Sequence, residues 1–377
     1  MRHAHRRVLV LGGGTAGNAL AVLLRRGDVD VDLVESTSDW NADSGSGITL
    51  QGSALRVLRE VGVLPGVIDQ GYAFDSLGIT SADGTVLHLA TGLRTGGPDL
   101  PATIGMRRPD LQRLLSEAVR SSGARVRLGT RAVEVRQDGD VAEVGFSDGS
   151  SGAYDLVVIA EGVHSPTRAL VGIGARPVPT GMAIWRAAVA RPRGVERTDV
   201  AYSGPCFIAG YCPTGPDTMY AYLVERNRDR ADLDPDSYAD EMRRLAAGYG
   251  GAWPEIGAGL TDPHRINYTW FERYLVEGPW HHGRFVLAGD AAHCCPPTIA
   301  QGAAMSLEDV LVLAELLTGA ADWDDALLNG YRERRMPRVR MVVDASVRIG
   351  EWLLNSDPDA DIPGLMNRTM PALAAHP

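Results

Sequence analysis

Apolar positions recur along this chain in two rhythms, and the change between them divides it. Residues 8–11 form a short apolar, β-rich run, followed by an apolar helix to about residue 26 and a second run at 31–34 that ends on Glu35. Residues 54–62 repeat apolar positions at helical spacing through Ala54, Leu55 and Leu58. Residues 77–89 alternate on either side of Ala82-Asp83-Gly84, a hairpin signal. Pro109 stands just inside a helix opened by Arg108, where a missing N–H costs least. Strands are predicted at 124–128, 132–137 and 142–146, with Asp138-Gly139 turning between the last two. Residues 155–160 are an apolar run after Asp155, as in a strand buried on both faces.

From about residue 178 to 280 the rhythm becomes alternating and aromatic, with β runs at 183–190, 206–211 and 219–224 and one helix at about 235–248. The βα rhythm then returns. Residues 284–288 read as a buried strand, Gly289-Asp290 as its turn, and a Pro-rich loop leads to a long apolar helix from about residue 303. Two further helices are predicted at 326–335 and 339–354. The pattern predicts an α/β fold: a Rossmann-like nucleotide-binding domain (1–75, 100–177 and 281–323), an inserted mainly antiparallel β-sheet domain for substrate (76–99 and 178–280), and a helical segment at 324–377.

Chemistry enters at the first βα turn. Gly12, Gly14 and Gly17 form G-x-G-x-x-G between a strand and a helix, and Glu35 follows 18 residues after the last glycine, counted from the sequence. Glycines allow the backbone to approach a pyrophosphate, Thr15 and Ala16 open the helix that faces it, and Glu35 can accept ribose hydroxyls. The unit leaves FAD and NAD both open; an acid here disfavours NADP at this position.

Composition narrows the field. A net charge of −10 argues against nucleic acid or an anionic membrane as partner. All 37 basic residues are arginine, which excludes any mechanism that needs a lysine amine. The four cysteines (206, 212, 294 and 295) lack metal or dithiol spacing, so no metal is expected. No signal-peptide pattern and no run of the ~20 apolar residues that span a membrane is present, so a cytoplasmic location is expected.

Three blocks together resemble the single-component FAD-dependent aromatic hydroxylases of the para-hydroxybenzoate hydroxylase type: the glycine turn with Glu35, residues 155–168, and Gly289-Asp290-Ala291-Ala292-His293 with Pro296-Pro297 and Gln301-Gly302. The resemblance implies bound FAD, NADPH or NADH and O₂ as cosubstrates, and hydroxylation of an aromatic or polycyclic small molecule through a flavin C4a-hydroperoxide. It extends to epoxidases, Baeyer–Villiger-type and antibiotic-inactivating oxygenases, and to reductases of the geranylgeranyl reductase type.

It also implies cofactor contacts from Gly47, Arg108, Glu161, Asp290, Pro297, Gln301 and Gly302, besides those of the glycine turn. Pro297 and, more weakly, His293 are the catalytic candidates. Trp185, Arg186, Phe207, Tyr211, Tyr220 and Tyr222 of the inserted sheet are the substrate candidates. Three positions depart from the family pattern: Glu161 replaces an aspartate, Ala300 replaces a glycine, and Asn41–Ser44 stand where many relatives carry arginine. A monomer or homodimer is expected.

Overall fold

The computed structural model describes residues 6–40, 47–174, 176–229 and 232–377. Residues 41–44, where relatives carry arginine, lie outside that set.

A six-stranded sheet has the order His281–His282, Phe285–Leu287, Leu156–Ile159, Arg7–Leu11, Asp30–Val34, Arg125–Arg127. Its pairs are parallel except for the short hairpin at 281–287. Leu156–Ile159 is buried along its whole length, as its unbroken apolar run requires. Helices Thr15–Arg26, Arg108–Ser121 and Gly302–Gly319 share one continuous apolar core with this sheet. The chain therefore builds a doubly wound nucleotide fold from segments far apart in sequence.

The second large sheet has eight strands, ordered His293–Cys294, Ile266–Leu275, Val178–Ala190, Thr218–Arg226, Ile208–Pro213, Thr198–Ala201, Ser76–Thr80, Val86–Thr91. It is antiparallel apart from the Thr198–Ala201/Ser76–Thr80 pair, so the hairpin read at 77–89 extends the inserted sheet. One face packs on helices Tyr238–Ala246 and Trp253–Gly259 through Trp185, Tyr211, Met242 and Trp253. The other face turns toward the nucleotide fold.

Two predicted helices, 326–335 and 339–354, are one helix, Asp325–Asn355, with Pro337 inside it. Proline removes one backbone bond, to the carbonyl of Glu333. Both residues are exposed, so water meets that carbonyl. On the opposite side Tyr331, Arg335, Val339 and Val342 are buried and hold the helix together through the break in its ladder. No helix among the described residues is long and apolar enough to cross a membrane.

Candidate active site

Between the two sheets lies a cavity of about 1620 Å³, above the ~300–1000 Å³ of a drug-sized pocket and large enough for a dinucleotide and a second molecule. Its nucleotide end is the first βα turn. Gly12 has φ +105°, and a Cβ there would fall 2.4 Å from the Ala160 carbonyl oxygen. Gly17 approaches the Gly12 carbonyl as closely, fixing helix to strand. Gly12, Gly14, Thr15 and Ala16 line the cavity; Gly17 serves packing behind them. The Thr15–Arg26 helix has no side-chain cap at Gly14, so its first N–H groups are left for an anion.

The Glu35 carboxylate accepts from Gly13 N (2.7 Å) and Thr37 N (2.8 Å). Burial works against its charge, but the bonds from Thr37, Gly13 and Ser36 prevail and lower its pKa. Glu161 also lines the cavity, yet its carboxylate turns onto Ser165 Oγ (2.6 Å), Thr167 N (3.1 Å) and Thr167 Oγ1 (2.9 Å). The extra methylene relative to aspartate is thus taken up within its own loop.

Across the cavity, Arg108 donates to the Gly47 carbonyl (3.3 Å) and has no carboxylate within salt-bridge distance among the described residues. Gly47 must be glycine, because a Cβ would lie 2.1 Å from the Tyr220 ring. Asp290 lines the wall beside Ser306 Oγ (3.1 Å), and burial raises its pKa. Pro297 opens a 3-10 turn, and Gly302 starts the Gly302–Gly319 helix; both face the cavity. Ala300, between them, keeps a left-handed backbone at φ +52°, ψ +37°, so the torsion natural to glycine persists in alanine.

At the inserted sheet, side-chain alternation divides the aromatic candidates. Arg186, Tyr220 and Tyr222 line the cavity, with Arg186 directly opposite Tyr222. The tyrosine rings lie 5.7 Å apart, and the Tyr220 hydroxyl meets Thr49 Oγ1 at 2.7 Å. Arg186 donates to Thr269 Oγ1 (3.0 Å) and has no acidic partner among the described residues. Burial pushes its pKa down to about 10, helped by the neighbouring Arg108 cation and opposed by Tyr220.

Four expectations are corrected, and a fifth, Phe207, falls on a second, smaller cavity. Trp185 is fully buried on the opposite face, donating to Glu225 (2.8 Å) and tilted on Tyr268. Tyr211 lies on that face too, bonded to Asp199 and edge-on to Trp253. Phe207, just before its strand, misses the main cavity. His293 is buried against Trp280, its Nε2 2.6 Å from Asp309. Gln301 is buried away from the cavity with its amide on Gln51 Oε1 (2.6 Å).

Alternation from Arg186 would have found what residue type missed: Ile184, Val224, Thr269 and Phe271 share its face. Nothing local signalled Met366 and Met370, which the C-terminal segment brings to the cavity.

These groups fit an adenine dinucleotide flavin. An uncapped helix start behind a glycine turn, an acid at the second strand, an unpaired arginine, and open space at Gly14 and Gly302 match a pyrophosphate, a ribose and a planar ring system. Residues 5–346 match the FAD binding domain family model. A 3-amino-4-hydroxybenzoate 2-monooxygenase (PtnB3) of Streptomyces platensis is 33% identical, covering 97% of this chain and 92% of the relative. The putative FAD-dependent monooxygenase YetM of Bacillus subtilis is 28% identical over 94% and 96%. The 2-heptyl-3-hydroxy-4(1H)-quinolone synthase of Pseudomonas aeruginosa is 31% identical over 92% and 90%. Among solved structures, Klebsiella pneumoniae HpxO complexed with FAD and uric acid superposes with a TM-score of 0.81 at 22% identity, covering 99% and 93%. The chain belongs to the FAD-binding monooxygenase family: it is a flavin-dependent oxidoreductase of the class that takes electrons from NAD(P)H and oxygen from O₂.

Proposed function

We propose that this enzyme hydroxylates an aromatic small molecule that binds as an anion or ionises to a phenolate. The observation that carries this is Arg186, a half-buried cation facing the cavity whose one side-chain partner among the described residues is a threonine. A buried charge without a counter-ion is costly, and an anionic ligand relieves that cost. Arg108 adds a second positive charge nearby, as its effect on Arg186 indicates. The names of the aminohydroxybenzoate and quinolone relatives fit the same chemistry, a ring bearing an ionisable oxygen.

The FAD that these residues would hold would supply the redox chemistry, with NAD(P)H as the electron source and O₂ as the source of the oxygen atom. The balance is substrate–H + NAD(P)H + H⁺ + O₂ → substrate–OH + NAD(P)⁺ + H₂O. Arg186 would hold the ring oxygen as its anion, raising electron density on the ring carbon to be hydroxylated. Tyr220 and Tyr222, packed on one another, would wall one side of the ring, and Thr49 would orient the Tyr220 hydroxyl. Ile184, Val224 and Phe271 would keep water from the reacting atoms. Gly12, Gly14, Thr15, Ala16 and Glu35 would hold the adenosine and pyrophosphate side. Gly47, Arg108, Asp290, Pro297 and Gly302 would hold the flavin side, with Pro297 rigid beside the ring.

The test is a screen of hydroxybenzoates, hydroxyquinolines and other phenols for stimulated NADH and NADPH oxidation with O₂ uptake. The expected product is one oxygen atom heavier than the substrate. Anaerobic turnover to a reduced product would overturn the assignment in favour of a reductase.

A further inference from the structure

Beside the main cavity lies a second one of about 430 Å³, within the size range of a ligand site in its own right. Tyr202 and Ala360 line both, so the two spaces adjoin at one aromatic ring and one methyl group. Beyond them the walls are mixed: Phe207, which follows the Tyr202 loop, and Trp352 and Leu353, from the last turn of the Asp325–Asn355 helix, make an apolar side, while Ser203, Ser356 and Asp357 make a polar one. Tyr202, Phe207 and Leu353 pack on the same apolar cluster as Ile184 and Val224 of the main cavity. One apolar cluster therefore backs both spaces.

The charges are distributed unevenly. Arg186 and Arg108 line only the main cavity, and the ionisable group facing the second is Asp357, which carries no counter-ion among the described residues. An anionic head is favoured in the main space and opposed in the second. The Tyr202 hydroxyl makes no hydrogen bond with a described residue, and burial raises its pKa, so where the two spaces adjoin it stays neutral.

We propose that the second cavity is a binding subsite for an apolar chain on the substrate, and that Tyr202 is the specificity-determining residue at its boundary with the main one. The assignment rests on the hydroxylase reading: the ring sits against Arg186, and an alkyl substituent of several carbons passes Tyr202 to rest on Phe207, Trp352 and Leu353. Burial of each methylene stabilises by about 0.8 kcal/mol, which is about a fourfold gain in affinity per carbon until the space is filled.

The FAD-loaded enzyme is titrated with 4-n-alkylphenols from methyl to octyl, reading the flavin absorbance change for binding and NAD(P)H oxidation for turnover. Affinity is expected to rise by about threefold or more per carbon over the first several carbons. Leu353→Trp, which fills the subsite, is expected to flatten that rise. Phe207→Ala, which enlarges it, is expected to move the best chain to a greater length, and this second variant decides the matter should the first not fold. A flat response in the unaltered enzyme, a rise unchanged by Leu353→Trp, or a best chain length unchanged by Phe207→Ala overturns the subsite while leaving the hydroxylase reading intact. Failure of every phenol, the methyl member included, to perturb the flavin or stimulate turnover overturns the ring-site reading and the subsite with it.

Discussion

Arg186 and Ala300 carry the sharpest residue-scale consequences. If Arg186 holds a phenolate, Arg186→Met removes a charge-assisted bond worth roughly 2 kcal/mol, so KM for an anionic phenol should rise at least about tenfold. KM for a neutral analogue should move much less, and equal losses for both would show that the arginine only supports the sheet. Ala300 holds φ +52°, a conformation that costs an L-residue about 1–2 kcal/mol and glycine little. Part of that gain is offset by the greater freedom of glycine in the unfolded chain. Ala300→Gly should therefore raise thermal stability by no more than about 1 kcal/mol while flavin affinity stays level. A lower melting temperature would mean that the Ala300 methyl makes packing contacts that outweigh its torsion.

At the scale of elements, the Gly302–Gly319 helix does more than present its N-terminus to the cavity. Its Glu308 and Asp309 are fully buried and tie three segments together. Asp309 meets His293 (2.6 Å), Gly289 N (3.0 Å) and Arg335 Nε (2.8 Å), while Glu308 meets Arg335 (3.1 Å) and Arg338 (2.7 Å). Burial works against the charge on Asp309, but His293 and Arg335 outweigh it and its pKa is lowered. A lowered folded pKa contributes stability that is full above the unfolded value of about 3.9 and is lost as pH falls through the folded one. Asp309→Asn should thus cost about 3–5 kcal/mol near neutrality, and the gap in melting temperature should close below about pH 4. A gap independent of pH would show that the carboxylate charge is not what the network uses. The glycine turn, the βα order and the Asp290–Gly302 loop were legible because each is a local pattern. His293 stands in that loop, but its partner Asp309 lies 16 residues further on, and Arg335, which also binds Asp309, a further 26, beyond the reach of any local reading. Trp185 and Tyr211 were misjudged for a related reason: alternation separates the faces of a strand without naming which one is the cavity, and only Arg186 and its cross-strand neighbours settle that.

Over the whole molecule, the C-terminal segment covers part of the cavity. Helix Ile362–Thr369 brings Ile362, Met366 and Met370 to the lining, and the residues after it are held by arginines rather than by a sheet. Arg338 donates to the carbonyls of Ala372 (3.0 Å) and Leu373 (2.7 Å), and Arg56 to those of Ala374 (3.2 Å) and Ala375 (3.1 Å). Both guanidiniums stand on buried Glu308, so the network behind the flavin-side helix also anchors the cover of the cavity. An oxygenase needs that cover, because water reaching the activated oxygen diverts it to hydrogen peroxide. Replacing both arginines with methionine keeps Arg335 on Glu308 and removes four bonds to the tail, each worth about 0.5–1.5 kcal/mol. The double variant should retain FAD, lose the last residues first under limited proteolysis, and release several-fold more hydrogen peroxide per NAD(P)H oxidised. If protease removes the tail while the ratio of product to NAD(P)H stays that of the unaltered enzyme, the C-terminal segment stabilises the fold without shielding the reaction.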